Sequence, residues 1–183
     1  MYIGVIAKRY AKALLDYALE EGVEQQVYDE VLRLIASYRA TAELREVLSD
    51  PLLPKERKLV VLLEAVKQGE QEVSTVWRKF AALVLYHKRE AFMLFIAHSF
   101  VLLYRQHKHI AIVRLTTATT LSKATGDRLK RMVEEHSKDF SEVILEEHVN
   151  PDIIGGFILE YDTFRMDASV KSKLNNILNT LKK

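Results

Sequence analysis

The sequence predicts a two-domain protein: an all-α six-helix bundle over residues 1–107, followed by a small α+β domain over residues 108–183. Two observations predict this division. Before His107, apolar residues recur at about 3.6-residue intervals, which is the helical period. After His107 they alternate in a segment rich in β-branched residues, which is typical of a strand. The change of period therefore predicts a domain boundary near His107.

The first predicted helix, over residues 5–20, is apolar around more than half of its circumference. An arc this wide is unusual for a surface helix, so we expect the helix to be covered on two sides. Gly22 is expected to end it. Its main apolar stripe contains Ile6, Tyr10, Ala13, Leu14 and Tyr17, and an adjoining face contains Ala7, Ala11, Leu15, Ala18 and Leu19.

Turn signals divide the rest of the first half. Asp50-Pro51 ends the third helix, because the residue before a proline avoids the α region, and Pro54 suits the first turn of the fourth. Gly69 closes the fourth helix. The sixth helix is almost continuously apolar, which predicts the central helix of the bundle. The remaining predicted helices cover residues 23–39, 42–48, 54–67, 72–87 and 90–106.

The second half is predicted to run β-α-β-β-β-α. Its first strand begins at Ile110, and a second covers residues 142–149. Between them, Ser122 is a candidate N-cap for a helix, because a serine hydroxyl can accept a hydrogen bond from the first helical turn. The predicted apolar face of this helix contains Leu129, Met132 and Val133.

A turn and a glycine pair organise the C-terminal stretch. The Asn150-Pro151-Asp152 segment favours a turn, because proline presets φ and the flanking polar side chains bond to nearby backbone. Gly155 and Gly156 then predict either a positive φ or a close backbone approach that a Cβ atom would prevent. Their spacing lacks the pattern of a phosphate-binding loop, so we interpret the pair as structural.

Two short strands and a capped helix follow the glycine pair. Residues 157–161 and 164–166 have the pattern of strands, with Asp162-Thr163 as a tight reversal between them. Asp167 or Ser169 can then N-cap a closing helix. The apolar stripe of that helix contains Val170, Leu174, Ile177, Leu178 and Leu181.

The run NPDIIGGFILEYDTFRMDASVKSKL resembles the C-terminal signature of the delta subunit of F-type ATP synthases, relatives of the mitochondrial oligomycin-sensitivity-conferring protein. Its marks are the Gly155-Gly156 pair and Asp167-x-Ser169 before the last helix. The opening segment IAKRYAKALLDYA resembles the family's first helix. The resemblance implies a non-catalytic stator subunit of the peripheral stalk, without a cofactor, peripheral to the membrane on the cytoplasmic face of the bacterial inner membrane.

The same resemblance implies two partners. The helical bundle would bind N-terminal helices of the alpha subunits, and the C-terminal region would bind the b-subunit stalk. The wide apolar arc of the first helix independently suggests a groove for such a helix. A rival interpretation places its tyrosines in the bundle core. The candidate groove residues are Tyr10, Ala13, Leu14, Tyr17, Val76 and Leu83.

Composition argues against other functional classes. The 183-residue chain has no cysteine, which excludes disulfides and thiolate metal sites, and its six histidines lack helical ligand spacing. Its net charge of +2 gives no strong footprint for nucleic acid. We expect neither a signal peptide nor a membrane-spanning helix. A nucleic-acid-binding or enzymatic α+β protein remains the alternative, which a clustered basic face or a convergent acid–base pair would support.

Overall fold

A computed structural model describes residues 3–69, 72–120, 126, 141–161 and 164–181. The chain divides into two compact units, Met1–Tyr104 and Arg105–Lys183. The described residues of the first unit are helical, and those of the second form a small sheet and a helix. The predicted combination of a helical N-terminal region with a small α/β C-terminal part is confirmed. The predicted helix from Ser122 through Leu129, Met132 and Val133 and the Asp162-Thr163 reversal lie outside the described residues.

The helices lie close to their predicted positions. A short 3-10 turn, Glu90–Phe92, precedes α6. Pro54 and Ser74 are the N-cap residues of α4 and α5 respectively. The helices are α1 (Ile3–Glu20), α2 (Glu24–Ala40), α3 (Glu43–Ser49), α4 (Lys55–Glu64), α5 (Thr75–Tyr86) and α6 (Met93–His107).

Helix α1 ends in a Schellman motif. Gly22 has a φ of 67°, a left-handed conformation that glycine adopts without a Cβ penalty. The Val23 N–H donates to the Ala18 carbonyl at 3.0 Å, and the Gly22 N–H donates to the Leu19 carbonyl at 3.2 Å. The predicted end of the first helix at Gly22 is therefore confirmed.

A polar stripe on α2 fixes the connection between α4 and α5. Four residues at helical spacing, Gln26, Glu30, Arg33 and Ser37, bond to it. Ser37 Oγ donates to the Ala65 carbonyl at 2.8 Å, and Arg33 Nε donates to the Val66 carbonyl at 2.6 Å. Because a buried backbone carbonyl needs a donor, these side chains replace the hydrogen bonds that the helix end leaves unmade.

Glu30 is the buried centre of this stripe, with only 1% of its surface exposed. Its carboxylate accepts from the Ser74 N–H and from Ser74 Oγ, both at 2.6 Å. Ser74 Oγ in turn accepts from the Trp77 N–H at 3.1 Å and so N-caps α5. The negative charge also lies at the positive end of the α5 dipole, where it is stabilising. One carboxylate on α2 therefore fixes the start of α5.

A second buried charge joins α4 to the 3-10 turn that precedes α6. Lys58 is 3% exposed, and its Nζ lies 2.7 Å from Glu90 Oε1. Removing either partner would leave the other charge unpaired in the core, which is strongly destabilising. Lys58 belongs to a run of charged residues, 55–58, and nothing in that run distinguishes it from its exposed neighbour Arg57.

Helix α6 differs from the prediction of a central helix. One face is buried, and there Tyr104 stacks on Tyr28 with ring centroids 4.2 Å apart and donates to Gln25 Oε1 at 2.6 Å. The opposite face leaves Phe95 and Leu102 52% and 67% exposed. The apolar run is therefore only partly covered, because neighbouring helices pack against one side of it.

The second unit contains a four-stranded sheet in the order β2-β1-β3-β4. Strands β1 and β2 are parallel, with Ala111 opposite Val143, whereas β3 is antiparallel to both β1 and β4. Ala111, Val113, Val143 and Leu159 form its core. The strands are β1 (Ile110–Thr117), β2 (Glu142–Val149), β3 (Phe157–Tyr161) and β4 (Phe164–Asp167), and helix α7 (Val170–Leu181) follows them.

The helical unit is expected to fold without the rest of the chain. A fragment of residues 1–107 retains all of α6 and should be helical and melt cooperatively, because residues 1–104 form a compact unit with its own apolar core. Circular dichroism during heating measures this. A broad, non-cooperative melt would contradict independent folding.

Replacing Glu30 should destabilise the helical unit. Glu30→Ala leaves the Ser74 N–H and hydroxyl without their acceptor, and we expect a loss of about 2–3 kcal/mol in the free energy of unfolding. Urea denaturation followed by Trp77 fluorescence measures it. Glu20→Ala, on an exposed position of α1, is the matched control and should change stability by less than about 0.5 kcal/mol. Equal losses in the two variants would refute the role of Glu30.

Candidate partner-binding surfaces

Tyr10, Ala13, Tyr17 and Leu83 form what we call the α1–α5 surface. Tyr10 is half-buried, with its ring 6.3 Å from Phe80 in an edge-to-face arrangement. Tyr17 is also half-buried and accepts a hydrogen bond from Lys79 Nζ at 3.0 Å. Ala13 lies between the two tyrosines on α1 and is exposed, and Leu83 on α5 is 45% exposed. Rigid aromatic rings beside an exposed small residue suit the close approach of a helix.

The other two candidate groove residues lie in the core. Leu14 is 1% exposed and Val76 is 3% exposed. Leu14 falls on the α1 stripe that also buries Ala11 and Ala18, and Val76 precedes the buried Trp77 in the first turn of α5. These two side chains are therefore part of the core and not of the exposed surface. Tyr10 and Tyr17 are half-buried, so their burial fits neither the surface interpretation nor the core interpretation fully.

The glycine pair and the start of α7 form one hydrogen-bonded unit. The Val170 N–H donates to the Gly155 carbonyl, and the Ala168 N–H donates to the Phe157 carbonyl, both at 2.9 Å. Gly156 lies between these bonds with a φ of 75°, and a Cβ atom there would clash with the Ala168 carbonyl oxygen. The predicted close approach is thus found at Gly156.

Only one glycine of the pair has the positive φ that was predicted for it. Gly156 has it, but Gly155 does not; a Cβ atom on Gly155 would instead meet Val170 Cγ2 at 3.1 Å. Ile154 also has a positive φ, of 69°, which is unusual for a β-branched residue. The local sequence shows where the chain bends but does not distinguish these three positions.

Ser169 is the N-cap of α7, and Asp167 supports it. Ser169 Oγ accepts from the Ser172 N–H at 3.2 Å. Asp167 accepts from the Ser169 N–H at 2.9 Å and from the Ser172 hydroxyl at 2.7 Å. Hydrogen bonds from Ser169, which have the larger effect, and from Ser172 lower the pKa of the Asp167 carboxyl from 3.8 to about 2. The carboxylate is therefore ionised at neutral pH and accepts both bonds.

Helix α7 carries apolar side chains on its outer surface. We call this set the α7 stripe: Val170, Leu174, Ile177 and Leu178, which are 38%, 46%, 56% and 53% exposed. Their spacing follows the helical period, so they lie along one face. A contiguous apolar stripe on an exposed helix is typical of an interaction site. The stripe begins at the residue whose N–H is held by the glycine pair.

Nothing in the described cavities suggests catalysis. A cavity of about 210 Å³ lies between α2, α3 and the start of α6, lined in part by Tyr38, Ser49 and Glu90. Burial raises the pKa of Tyr38 to about 12, so its phenol is neutral, and the described lining has no histidine to act as a base. Among the described residues, no cluster of acidic and histidine side chains could hold a metal ion. Within that same part of the chain, no helix has the length and apolarity to span a membrane.

Comparison with known proteins identifies the family. The family model described as ATP synthase delta (OSCP) subunit matches residues 6–181. The chain belongs to this family. It is 40% identical over 177 residues to a protein named ATP synthase subunit delta from Phocaeicola vulgatus, covering 97% of this chain and 94% of that protein. The counterpart in Lactobacillus acidophilus is 37% identical over 174 residues, covering 94% and 92% of the two chains.

The fold also matches a solved structure. A chain of the Toxoplasma gondii mitochondrial ATP synthase hexamer, determined by cryo-electron microscopy, superposes with a TM-score of 0.72 and 18% identity, covering 97% of each chain. At this identity the likeness shows the fold alone. The resemblance based on the glycine pair and the opening helix is confirmed by the family match. As a delta subunit, the chain is a non-catalytic component of the peripheral stalk of the membrane-bound ATP synthase.

Gly156→Ala should destabilise the second unit by at least about 2 kcal/mol, because it combines a left-handed φ with a clash against fixed backbone. Hydrogen exchange of the β3 amides measures the loss. Gly155→Ala is a close control, since its new methyl group meets only the Val170 side chain. Gly69→Ala, at a φ of 57° with no atom within 4 Å of the new Cβ, isolates the cost of φ, about 1–2 kcal/mol, and is measured by urea denaturation of the helical unit in which it lies. An effect at Gly156 no larger than at Gly69 would refute the close-approach argument.

Proposed function

We propose that this delta subunit connects the catalytic head of the F-type ATP synthase to its stator stalk by two separate surfaces. The α1–α5 surface binds an N-terminal helix of an alpha subunit, and the α7 stripe binds the C-terminal part of the b-subunit stalk. Residues 1–107 act as one six-helix domain and residues 108–183 as a second domain. The subunit works at the cytoplasmic face of the bacterial inner membrane, held there by the complex.

One observation carries this proposal: each unit leaves apolar side chains exposed along a helix. On α1 and α5 these are half-buried rings together with Ala13 and Leu83, and on α7 they are the four residues of the stripe. A partner helix recognises such a surface through apolar anchors at positions i, i+3, i+4 and i+7. Val170, Leu174 and Ile177 of the α7 stripe are at positions i, i+4 and i+7, which suits packing against another helix.

The two surfaces also differ in the number of helices that form them. The α1–α5 surface combines exposed side chains of two helices, Ala13 on α1 and Leu83 on α5. The α7 stripe is a single ridge on one helix, flanked by the exposed Lys171 and Lys173. A site between helices suits one entering helix, whereas a ridge suits the groove of a helical pair. This difference supports the assignment of the first to an alpha N-terminus and of the second to the stalk.

A crossed pair of variants tests both assignments. Ala13→Asp places a charge on the α1–α5 surface, and Ile177→Lys places one on the α7 stripe. Calorimetry with a peptide of the alpha N-terminus and with a fragment of the b C-terminus measures each dissociation constant. Each variant should weaken one partner more than tenfold, about 1.4 kcal/mol, and leave the other unchanged.

The melting temperatures of both variants are the control. Ala13 is exposed and Ile177 is 56% exposed, so neither charge is buried and both melting temperatures should stay close to that of the unmodified chain. Normal binding of both partners by both variants would refute the proposal. Loss of the alpha peptide in Ile177→Lys would show that the surfaces are assigned the wrong way round.

A further inference from the structure

A positively charged side chain lies against each of three tyrosine rings around the α1–α5 surface. Arg89 Cζ lies 5.3 Å from the centroid of Tyr10. Lys79 Nζ lies 5.7 Å from the centroid of Tyr17, and Lys55 Nζ lies 5.2 Å from that of Tyr86. All three distances are within the range of a cation–π interaction. The cations are therefore held beside the rings rather than spread freely in solvent.

These cations have no carboxylate partner among the described residues. The ion pairs in that part of the chain involve Lys58, Lys67 and Arg165, and none involves Lys55, Lys79 or Arg89. A hydrogen bond to Tyr17 raises the pKa of Lys79, and the charge of nearby Glu21 raises it further without forming an ion pair. The lysine is fully charged at neutral pH. The surface therefore presents three fixed positive charges.

The apolar part of the surface lies between the charges. Ala13 and Leu83 are exposed in the middle, whereas Arg89 and Lys79 lie beside two tyrosines that are seven residues apart on α1, about two helical turns or 10 Å. A complementary partner would be apolar in the middle of one face and acidic at both ends of it. Carboxylates about seven residues apart on a helix meet this requirement.

We propose that the α1–α5 surface selects an acidic amphipathic helix, whose carboxylates pair with Lys79 and Arg89 while its apolar residues cover Ala13 and Leu83. This inference rests on the proposed function, and it adds the charge of the partner helix. An anionic membrane surface is a less suitable ligand, because the cations stand at two separate positions with the exposed Ala13 and Leu83 between them. Complementary charges at the margins raise the association rate and exclude basic helices.

The test uses the full chain and two designed helical peptides with the same apolar face. One carries glutamates at both margins, about seven residues apart, and the other carries lysines there. Calorimetry at low salt should give at least tenfold tighter binding of the acidic peptide, and the preference should decrease at high salt. Equal affinities for the two peptides would overturn the inference.

Charge-reversal variants assign the preference to residues. Lys79→Glu and Arg89→Glu should each weaken the acidic peptide at least fivefold, and Lys79→Glu should bind the basic peptide more tightly than the unmodified chain does. Arg39→Glu, at an exposed position in the last turn of α2, is the matched control and should change neither affinity. If Arg39→Glu changes the two affinities as much as Lys79→Glu does, the preference reflects only the net charge of the chain, and the inference is overturned.

Binding of the alpha N-terminal peptide, measured beside that of the designed peptides, distinguishes a failure of this inference from a failure of the proposed function. Binding of the acidic designed peptide without binding of the alpha peptide would support the inference and refute the alpha partner. Binding of the alpha peptide with no preference between the designed peptides would refute the inference alone. Binding to phosphatidylglycerol vesicles that is lost in Lys79→Glu would assign the cations to lipid phosphates and would also overturn it.

Discussion

The buried carboxylate of Glu30 is the interaction on which the helical unit depends most. It lies on α2, yet it accepts the two bonds that fix Ser74, and Ser74 caps α5. Helix α5 supplies Leu83 and Lys79 to the α1–α5 surface, so their positions depend on a charge that never reaches that surface. Burial of a carboxylate is costly unless it is hydrogen-bonded, and here backbone and hydroxyl donors replace the lost water. The neighbouring Arg33 and Ser37 hold the same connection at its other end.

A comparable constraint in the second unit involves backbone alone. At Gly156 the turn before β3 passes so close to Ala168 that no side chain fits between them. This approach lets the Gly155 and Phe157 carbonyls accept the amides of Val170 and Ala168, which places the start of α7 beside the sheet. The direction of α7 at its first turn, and with it the start of the exposed stripe, depends on the missing Cβ. The glycine pair is thus connected to the surface that we assign to the stalk.

Sequence patterns predicted the local features and missed the long-range ones. Apolar periodicity located the helices, and β2 and β3 have their predicted bounds because strand pattern and turn residues agree there. The Ser169 cap was predictable, since the donor lies within the same turn. Glu30 and Lys58 gave no signal, because their partners Ser74 and Glu90 are distant in sequence and each lies beside another residue of the same charge.

The candidate surface was partly predictable for the same reason. Periodicity assigned Tyr10, Leu14 and Tyr17 to one wide apolar arc, but it could not divide that arc into a buried and an exposed side. The division depends on where α5 packs, and packing buries Leu14 while leaving Ala13 exposed. The apolar run of α6 was misjudged in the same way, because the exposure of Phe95 and Leu102 depends on the neighbouring helices. The cations beside the tyrosines likewise come from three separate parts of the chain.

Exposed apolar residues on both units have a consequence for a protein that must resist torque. Each surface alone is small, and a single helix contact of this kind dissociates readily. Two contacts on one chain reinforce each other, because dissociation of one leaves the partner at a high effective concentration. Each surface also needs protection from indiscriminate association while it is unoccupied. We assign this role to the cations beside the tyrosines on the α1–α5 surface and to Lys171 and Lys173, which flank the α7 stripe. In the recognition that we propose, charge at the margins limits which partner binds, whereas the apolar centre determines how tightly it is held.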